Sequence, residues 1–381
     1  MREEPAVLVI GGGVVGLAAA WALSDAGLRP RVVDPGEITD RATWAAGGML
    51  APMGEAREPG PFLHLALSGL ERYPAFVRRL EAASGIGVGL HLDGKLLTAT
   101  RPDDLRKLEA RRDWLLADGH PVEWMDGEDA RRLEPSLSPH VRAGLLLEGN
   151  GRVHNRDLQR ALETAVAVSG VATTRGRVSA LRSRGGRVEG VTLRDGRTLD
   201  APVVVLAAGA WSGGIEGLPR PLPVRPVKGQ MLAIASPDRP LCRVVTSPDV
   251  YLIPREAPEG PQVLVGATSE EAGFDRSLEP RGQAALEDGA RDLVPQLGDA
   301  PVVERWTGLR PGTPDDLPIV GPDPEVSGLW YLTGHYRNGI LLAPATAHLL
   351  TEGLTGVASP PAAFRVERFS DPVLVRGSGR S

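Results

Sequence analysis

Three glycines and one aspartate, Gly11, Gly13, Gly16 and Asp34, have the types and spacing to bind a dinucleotide. Gly11 permits a tight turn, Gly13 lets backbone approach a pyrophosphate, and Gly16 lets helix and strand pack closely. The phosphates would rest on free N–H groups at a helix N-terminus, where the macrodipole favours negative charge. Asp34 lies about 20 residues beyond the glycines, where an acidic side chain can accept hydrogen bonds from a ribose. With 47 glycines in 381 residues the spacing alone is weak, and a glycine-rich turn is the bland alternative. These residues leave open which dinucleotide is bound.

The context around the glycines decides for the binding site. Val7, Val9 and Ile10 suit a strand buried on both faces. Val15, Ala18, Ala19, Ala22, Leu23 and Ala26 recur at helical spacing, Gly27 fits a C-cap, and Arg31-Val-Val-Asp34 makes a second strand. Downstream, the small-residue run Ala45-Ala-Gly-Gly-Met49 brings backbone close to a ligand or to a tight core junction. Helices are expected over 61–83, 102–117, 127–133, 156–169 (with Asn155 as N-cap), 283–293 and 340–350, where Pro344 fits a first turn. Residues 90–100 read as a hairpin turning at Asp93-Gly94. The stretch Val203-Val-Val-Leu-Ala-Ala-Gly-Ala-Trp211 reads as a buried strand whose C-terminal end faces a ligand crevice.

Composition removes several function classes. Lys plus Arg is 43 and Asp plus Glu is 48, a formal net charge of -5, which offers no footprint for nucleic acid or an anionic membrane. The one cysteine, Cys242, excludes an intrachain disulfide and thiolate metal clusters, and no metal site is expected. The chain shows neither a secretion signal nor about 18 uninterrupted apolar residues, so a cytoplasmic location is expected.

Four blocks, at 43–52, 226–230, 308–313 and 334–344, together resemble the FAD-dependent amine oxidases of the D-amino acid oxidase family. Within that family the likeness is strongest to its bacterial glycine-oxidising branch, and it runs from Val7 to about Phe364. The resemblance implies an α/β fold in which a Rossmann-like FAD-binding domain (1–85, 145–220 and 305–365) interleaves with a substrate domain (86–144 and 221–304). That second domain is built on a mostly antiparallel sheet, and 366–381 forms a flexible tail.

The same resemblance implies non-covalent FAD and assigns its contacts. Val14 and Val15 would lie at the pyrophosphate turn, Asp34 and Pro35 at the ribose, and Ala42 and Thr43 at the phosphates. Gly47, Gly48 and Met49 would present backbone to the flavin ring, Val178 would hold the adenine, and Ala208 and Gly209 would form a phosphate-side turn. His335, Tyr336, Arg337, Asn338, Gly339, Ile340 and Leu341 would wrap the ring, with His335 a packed residue rather than a base. For substrate the resemblance points to Arg310 for a carboxylate, Tyr251 for a hydrogen bond and Arg337 for a second charge or gate. Lys228 is a candidate for assisting oxygen. Trp44 and Ser269 depart from the family's pattern, on the phosphate side and in the substrate pocket.

The implied reaction is oxidative deamination of glycine and other small amines, such as sarcosine and small D-amino acids, with O2 reduced to H2O2. Its product would feed thiazole (thiamine) synthesis through a downstream thiazole synthase, and homo-oligomerisation is left open. The alternatives are a sarcosine or D-amino acid dehydrogenase with another electron acceptor, a nicotinamide enzyme, and a non-catalytic flavin-binding protein.

Overall fold

The structure, a computed structural model, describes residues 6–369. At its centre is a six-stranded sheet in the order Ile319–Pro322, Leu329–Thr333, Val204–Leu206, Val7–Ile10, Pro30–Asp34 and Ala172–Arg175. Every neighbouring pair is parallel except the first. Val7–Ile10 is buried throughout because it lies in mid-sheet with both faces covered. Val7, Val9, Val32 and Val205 face helices Val14–Asp25, Pro61–Ser84, Asn155–Val168 and Gly339–Thr355. Leu8, Ile10, Val33 and Val204 face the small sheet Val178–Arg184, Arg187–Leu193 and Thr198–Asp200.

A second, eight-stranded sheet runs in the order Val302–Gly312, Arg225–Ala235, Gln262–Gly266, Tyr251–Arg255, Val244–Thr246, Lys95–Ala99, Ala143–Leu147 and Glu123–Asp126. It is antiparallel but for one pair, Val244–Thr246 with Lys95–Ala99. Helix Pro280–Leu293 packs on one part of it through Leu286, Ala290 and Leu293, and helix Pro102–Ala117 on another through Leu108 and Leu115. The fold class is therefore mixed α/β, a Rossmann-like parallel sheet joined to a largely antiparallel one, as expected.

Several local expectations change. The hairpin at 90–100 does not form: only Lys95–Ala99 is a strand, and its antiparallel partner is Ala143–Leu147, some 50 residues away. The chain only bends at Asp93, with Gly94 at φ +90°, and passes into a sheet rather than back along itself. The sheets also shift two boundaries, since Ala143–Leu147 and Val302–Gly312 both belong to the antiparallel sheet. Of the segment expected to be a tail, 366–369 forms a 3-10 turn whose Val366 is buried, while 370–381 lies outside the described residues.

Two helix details correct the capping assignments. His154, not Asn155, caps Asn155–Val168, its Nδ1 accepting from the Asp157 N–H at 3.2 Å. Asn155 is buried instead and donates to the carbonyls of Thr43 (2.6 Å) and Trp44 (3.0 Å), pinning the small-residue run. Pro344 stands in the second turn of Gly339–Thr355 rather than the first. A proline there cannot bond the carbonyl four residues back, which is Ile340. The buried Tyr73 hydroxyl donates to that oxygen at 2.7 Å, so no acceptor is left empty.

Candidate active site

One cavity of about 910 Å³ runs from the glycine turn on the parallel sheet to the face of the antiparallel sheet. At its first end, Gly11 has φ +115°, and a Cβ there would collide with the Ala207 carbonyl. A Cβ on Gly16 would strike the Gly11 carbonyl, so helix and strand pack at glycine distance. Helix Val14–Asp25 starts at Gly13 without a side-chain cap, leaving its first turn to the cavity except for the Val14 N–H, which donates to Thr43 Oγ1 at 3.0 Å. Asp34 accepts from the N–H groups of Gly12 (2.6 Å) and Gly36 (2.8 Å) and from Arg41 (2.8 Å). Arg41 also pairs with Glu163. The aspartate thus organises the turn while lining the cavity beside it.

This end fits a dinucleotide. Uncapped helical N–H groups, a turn a Cβ would fill and a carboxylate at the neighbouring strand end are the donor set a pyrophosphate and ribose require. FAD supplies such a group, and Gly11 to Val15, Asp34, Thr43, Ala208 and Gly209 are the residues that would hold it.

At the other end, side chains replace backbone. Arg310 extends from Val302–Gly312, whose partner strand places Val227 opposite Arg310 and Gly229 opposite Gly308. The guanidinium lies where a Cβ on Gly229 would be, and Nη1 donates to the Thr268 carbonyl at 3.0 Å. Nη1 also reaches the Lys228 carbonyl at 3.4 Å, and the guanidinium lies beside Tyr251 on the cavity wall. The Tyr251 ring lies across Gly266, where a Cβ would collide with it. Burial pushes the Tyr251 phenol above its ordinary pKa, so it stays protonated and able to donate. Arg337 stacks its guanidinium 5.2 Å from the Tyr336 ring centroid and faces Glu55 Oε2 at 3.6 Å.

Of the residues expected to touch cofactor or substrate, all but two line this cavity: Gly11, Gly13, Val14, Val15, Asp34, Pro35, Ala42, Thr43, Gly47, Gly48, Met49, Val178, Ala208, Gly209, Tyr251, Arg310 and 335–340. Gly16 and Leu341 do not. Gly16 acts through packing, and Leu341 is 1% exposed in the helix core, one residue too far round the helix to face a ligand. His335 is buried with its Nε2 3.1 Å from Thr346 Oγ1, and burial pushes its pKa down to about 3. It is a neutral, packed residue.

Lys228 moves out of the site altogether. It follows strand alternation: Gly229 and Met231 face the cavity, whereas Lys228 turns to the opposite face. There it pairs with Asp275 at 3.2 Å and Glu270 at 3.3 Å. Trp44 also lies off the cavity, edge-on to Trp306 at 6.4 Å with the Arg156 guanidinium 4.1 Å from its centroid. Ser269 is on the cavity wall.

Residues that sequence reasoning missed include Gly12, Arg41, Glu55, Lys95, Arg111 and Gly229. Glu55 ends the short helix Pro52–Glu55, whose last carbonyls are gathered by Arg111: Nη1 donates to Met53 (2.8 Å), Gly54 (3.2 Å) and Ala56 (2.8 Å). Burial pushes the Glu55 carboxyl up, but Arg337, Lys95, Arg111 and Arg310 together outweigh it and hold it below the usual carboxylate range. Gly12, inside the glycine run, and Gly229, inside the 226–230 block, have a sequence signal.

A glycine turn on a parallel sheet, sharing one cavity with an arginine on an antiparallel sheet, defines a dinucleotide-dependent oxidoreductase architecture. Residues 6–353 match the model of the family described as DAO, FAD dependent oxidoreductase, and the chain belongs to that family. It is 36% identical to a glycine oxidase of Pseudomonas putida over 353 residues, 92% of this chain and 94% of that protein. It is 38% identical to a bifunctional protein ThiO/ThiG of Synechocystis over 388 residues, 98% of this chain but 56% of that protein. Among solved structures, glycine oxidase of Geobacillus kaustophilus superposes with a TM-score of 0.91 at 32% identity, covering 96% of this chain and 99% of the other.

Proposed function

We propose that the chain is a glycine oxidase-type enzyme, deaminating glycine and other small amines (sarcosine, small D-amino acids) with non-covalently held FAD and O2 as acceptor. The observation that carries this reading is the seat of Arg310. Its guanidinium lies flat on Gly229, anchored to the Thr268 carbonyl, in the cavity that the dinucleotide turn also lines. Such a fixed fork takes one α-carboxylate in two parallel hydrogen bonds and so fixes the α-carbon. The Tyr251 hydroxyl, kept protonated by burial, donates a further bond to the same substrate.

Bound FAD would supply the hydride acceptor and the point at which O2 is reduced to H2O2. The chain's own work is to orient and desolvate the substrate. Among the described residues at the cavity, His335 is neutral and tied to Thr346, Tyr251 is protonated, and the Glu55 carboxylate is held ionised by Arg337 and Lys95, which leaves it a poor base. The amine therefore binds uncharged, having lost its proton to solvent, and the imine released by oxidation hydrolyses to glyoxylate and ammonia. The ThiO/ThiG relative supports a place upstream of thiazole formation.

Anaerobic titration of the yellow holoprotein with glycine, sarcosine and D-alanine tests this reading. Bleaching of the flavin, with peroxide formed on admitting air, is expected. Bleaching without peroxide in air would assign a dehydrogenase, and protein lacking flavin would end the FAD assignment.

A further inference from the structure

A single stretch of chain crosses from the antiparallel sheet to the dinucleotide end of the cavity, and Lys228 is what holds it. Between Gln262–Gly266 and helix Pro280–Leu293, residues 267–279 form no helix or strand beyond one bridge between Glu270 and Lys228. Each of those two backbone N–H groups donates to the other residue's carbonyl at 2.9 Å. The Lys228 ammonium, wholly buried, then gathers the carboxylates of Asp275 at 3.2 Å and Glu270 at 3.3 Å. Gln230 adds to this root, donating to Glu270 at 2.7 Å and accepting from the Glu279 N–H at 2.9 Å.

Past the root the segment reaches the other sheet. Arg276 pairs with Asp40 and donates Nη2 to the Thr39 carbonyl at 2.6 Å. Both acceptors lie in the 3-10 turn Ile38–Asp40, which follows strand Pro30–Asp34 of the parallel sheet. Phe274 sets its ring 5.9 Å from that of Trp211, in the turn that follows Val204–Leu206. Arg177 stands behind, 5.9 Å from the Trp211 centroid and paired with Glu37 at 2.7 Å. Asp40, Arg177, Trp211, Phe274 and Arg276 all line the cavity. With its ring 53% exposed, Phe274 covers the rim of that cavity and fills no core.

Resting on the reading of this end as the FAD site, we infer that 270–277 is a retaining strap, fastened at its root by Lys228 and latched at its tip by Arg276. FAD enters and leaves when the Arg276–Asp40 latch and the Phe274–Trp211 contact open. The root stays in place, because lifting it would strip a buried ammonium of both its carboxylates. The tip is the weaker end: the side chains of Arg276 and Asp40 are 33% and 24% exposed, so water can take over their hydrogen bonds. Lys228 and Arg276 are thus positioning residues for the cofactor, acting through the strap.

Flavin exchange on the full chain tests this. Apoprotein is reloaded with FAD to give the association rate, and the loaded protein is diluted to give the release rate. Arg276→Gln and Asp40→Asn break the latch from opposite sides, and each should speed release roughly tenfold, the effect of one charge-assisted hydrogen bond. Association should quicken as well, because a strap bars both directions. The double variant should be no faster than the faster single, since both remove the same pair. Phe274→Ala should speed both rates about threefold. Wild-type release should quicken with added salt, and Arg276→Gln should lose that dependence. Release unchanged in both latch variants overturns the strap. So does faster release with slower or unchanged association, the signature of a lost contact or a damaged fold. In either case uptake of FAD by the wild type leaves the FAD reading intact, whereas wild-type apoprotein that takes up no FAD overturns both.

Discussion

The two ends of the cavity are built on opposite principles. The dinucleotide end is backbone: Gly11 and Gly13, which lack a Cβ, lead into the uncapped first turn of Val14–Asp25, and together they make the site. The substrate end is side chain: Glu55, Lys95, Tyr251, Arg310 and Arg337 come from five separated stretches, and strand register brings them together. A backbone site tolerates little change and is nearly independent of what is oxidised. A side-chain site can change specificity one residue at a time.

The comparison can be broken or sharpened by substitution. The largest effect is expected at Gly11: with φ +115° and the Ala207 carbonyl in the place of a Cβ, Gly11→Val should yield protein without flavin, read as the visible-to-280 nm absorbance ratio. If that variant retained stoichiometric flavin, the backbone account of this end would fail. Next, Arg310→Met should lower kcat/KM for glycine by roughly 100- to 1,000-fold, the range for removing one partner of a buried charge pair, with flavin content unchanged. Gly229→Ala leaves Arg310 in the chain but puts a methyl group where its guanidinium lies, so KM for glycine should rise about tenfold with a smaller change in kcat. Tyr251→Phe, losing one hydrogen bond of about 1 kcal/mol, should cost on the order of fivefold in kcat/KM.

Acidity sharpens the contrast on a different axis. kcat/KM should climb with pH as the free amine forms, and His335 adds no limb above about pH 4 because its folded pKa is about 3. A profile flat across the amine's titration contradicts uptake of the uncharged amine. For stability the sign is fixed by proton count. His335 binds no proton when folded but binds one near pH 6.5 when unfolded. Its contribution is therefore complete above pH 6.5 and is lost as pH falls from there toward 3, at up to about 1.4 kcal/mol per unit. Urea midpoints measured across that window check the slope, which His335→Gln should reduce.

Legibility in the sequence follows the same division. The glycine turn could be read because each residue's role is local: a strand, a turn without Cβ atoms, and a helix within some twenty positions. Helix Pro61–Ser84, with its apolar periodicity, is equally plain, and Pro102–Ala117 is legible as a charged helix. The 90–100 hairpin misled because a turn at Asp93-Gly94 says nothing about which distant strand Lys95–Ala99 will join. Arg310 and Tyr251 came through family resemblance, not through spacing. Lys95 and Glu55 were invisible, since nothing in either residue's neighbourhood announces the other. Lys228 is a weak candidate from sequence, and alternation along its strand places it on the far face.

Anaerobic titration of Arg310→Met with glycine, followed at the flavin absorbance and paired with FAD affinity of the apoprotein, tests the division of labour most directly. The account predicts wild-type FAD affinity and no bleaching at glycine concentrations that bleach the wild type fully. Loss of FAD affinity, or bleaching at the wild-type concentration, would contradict it.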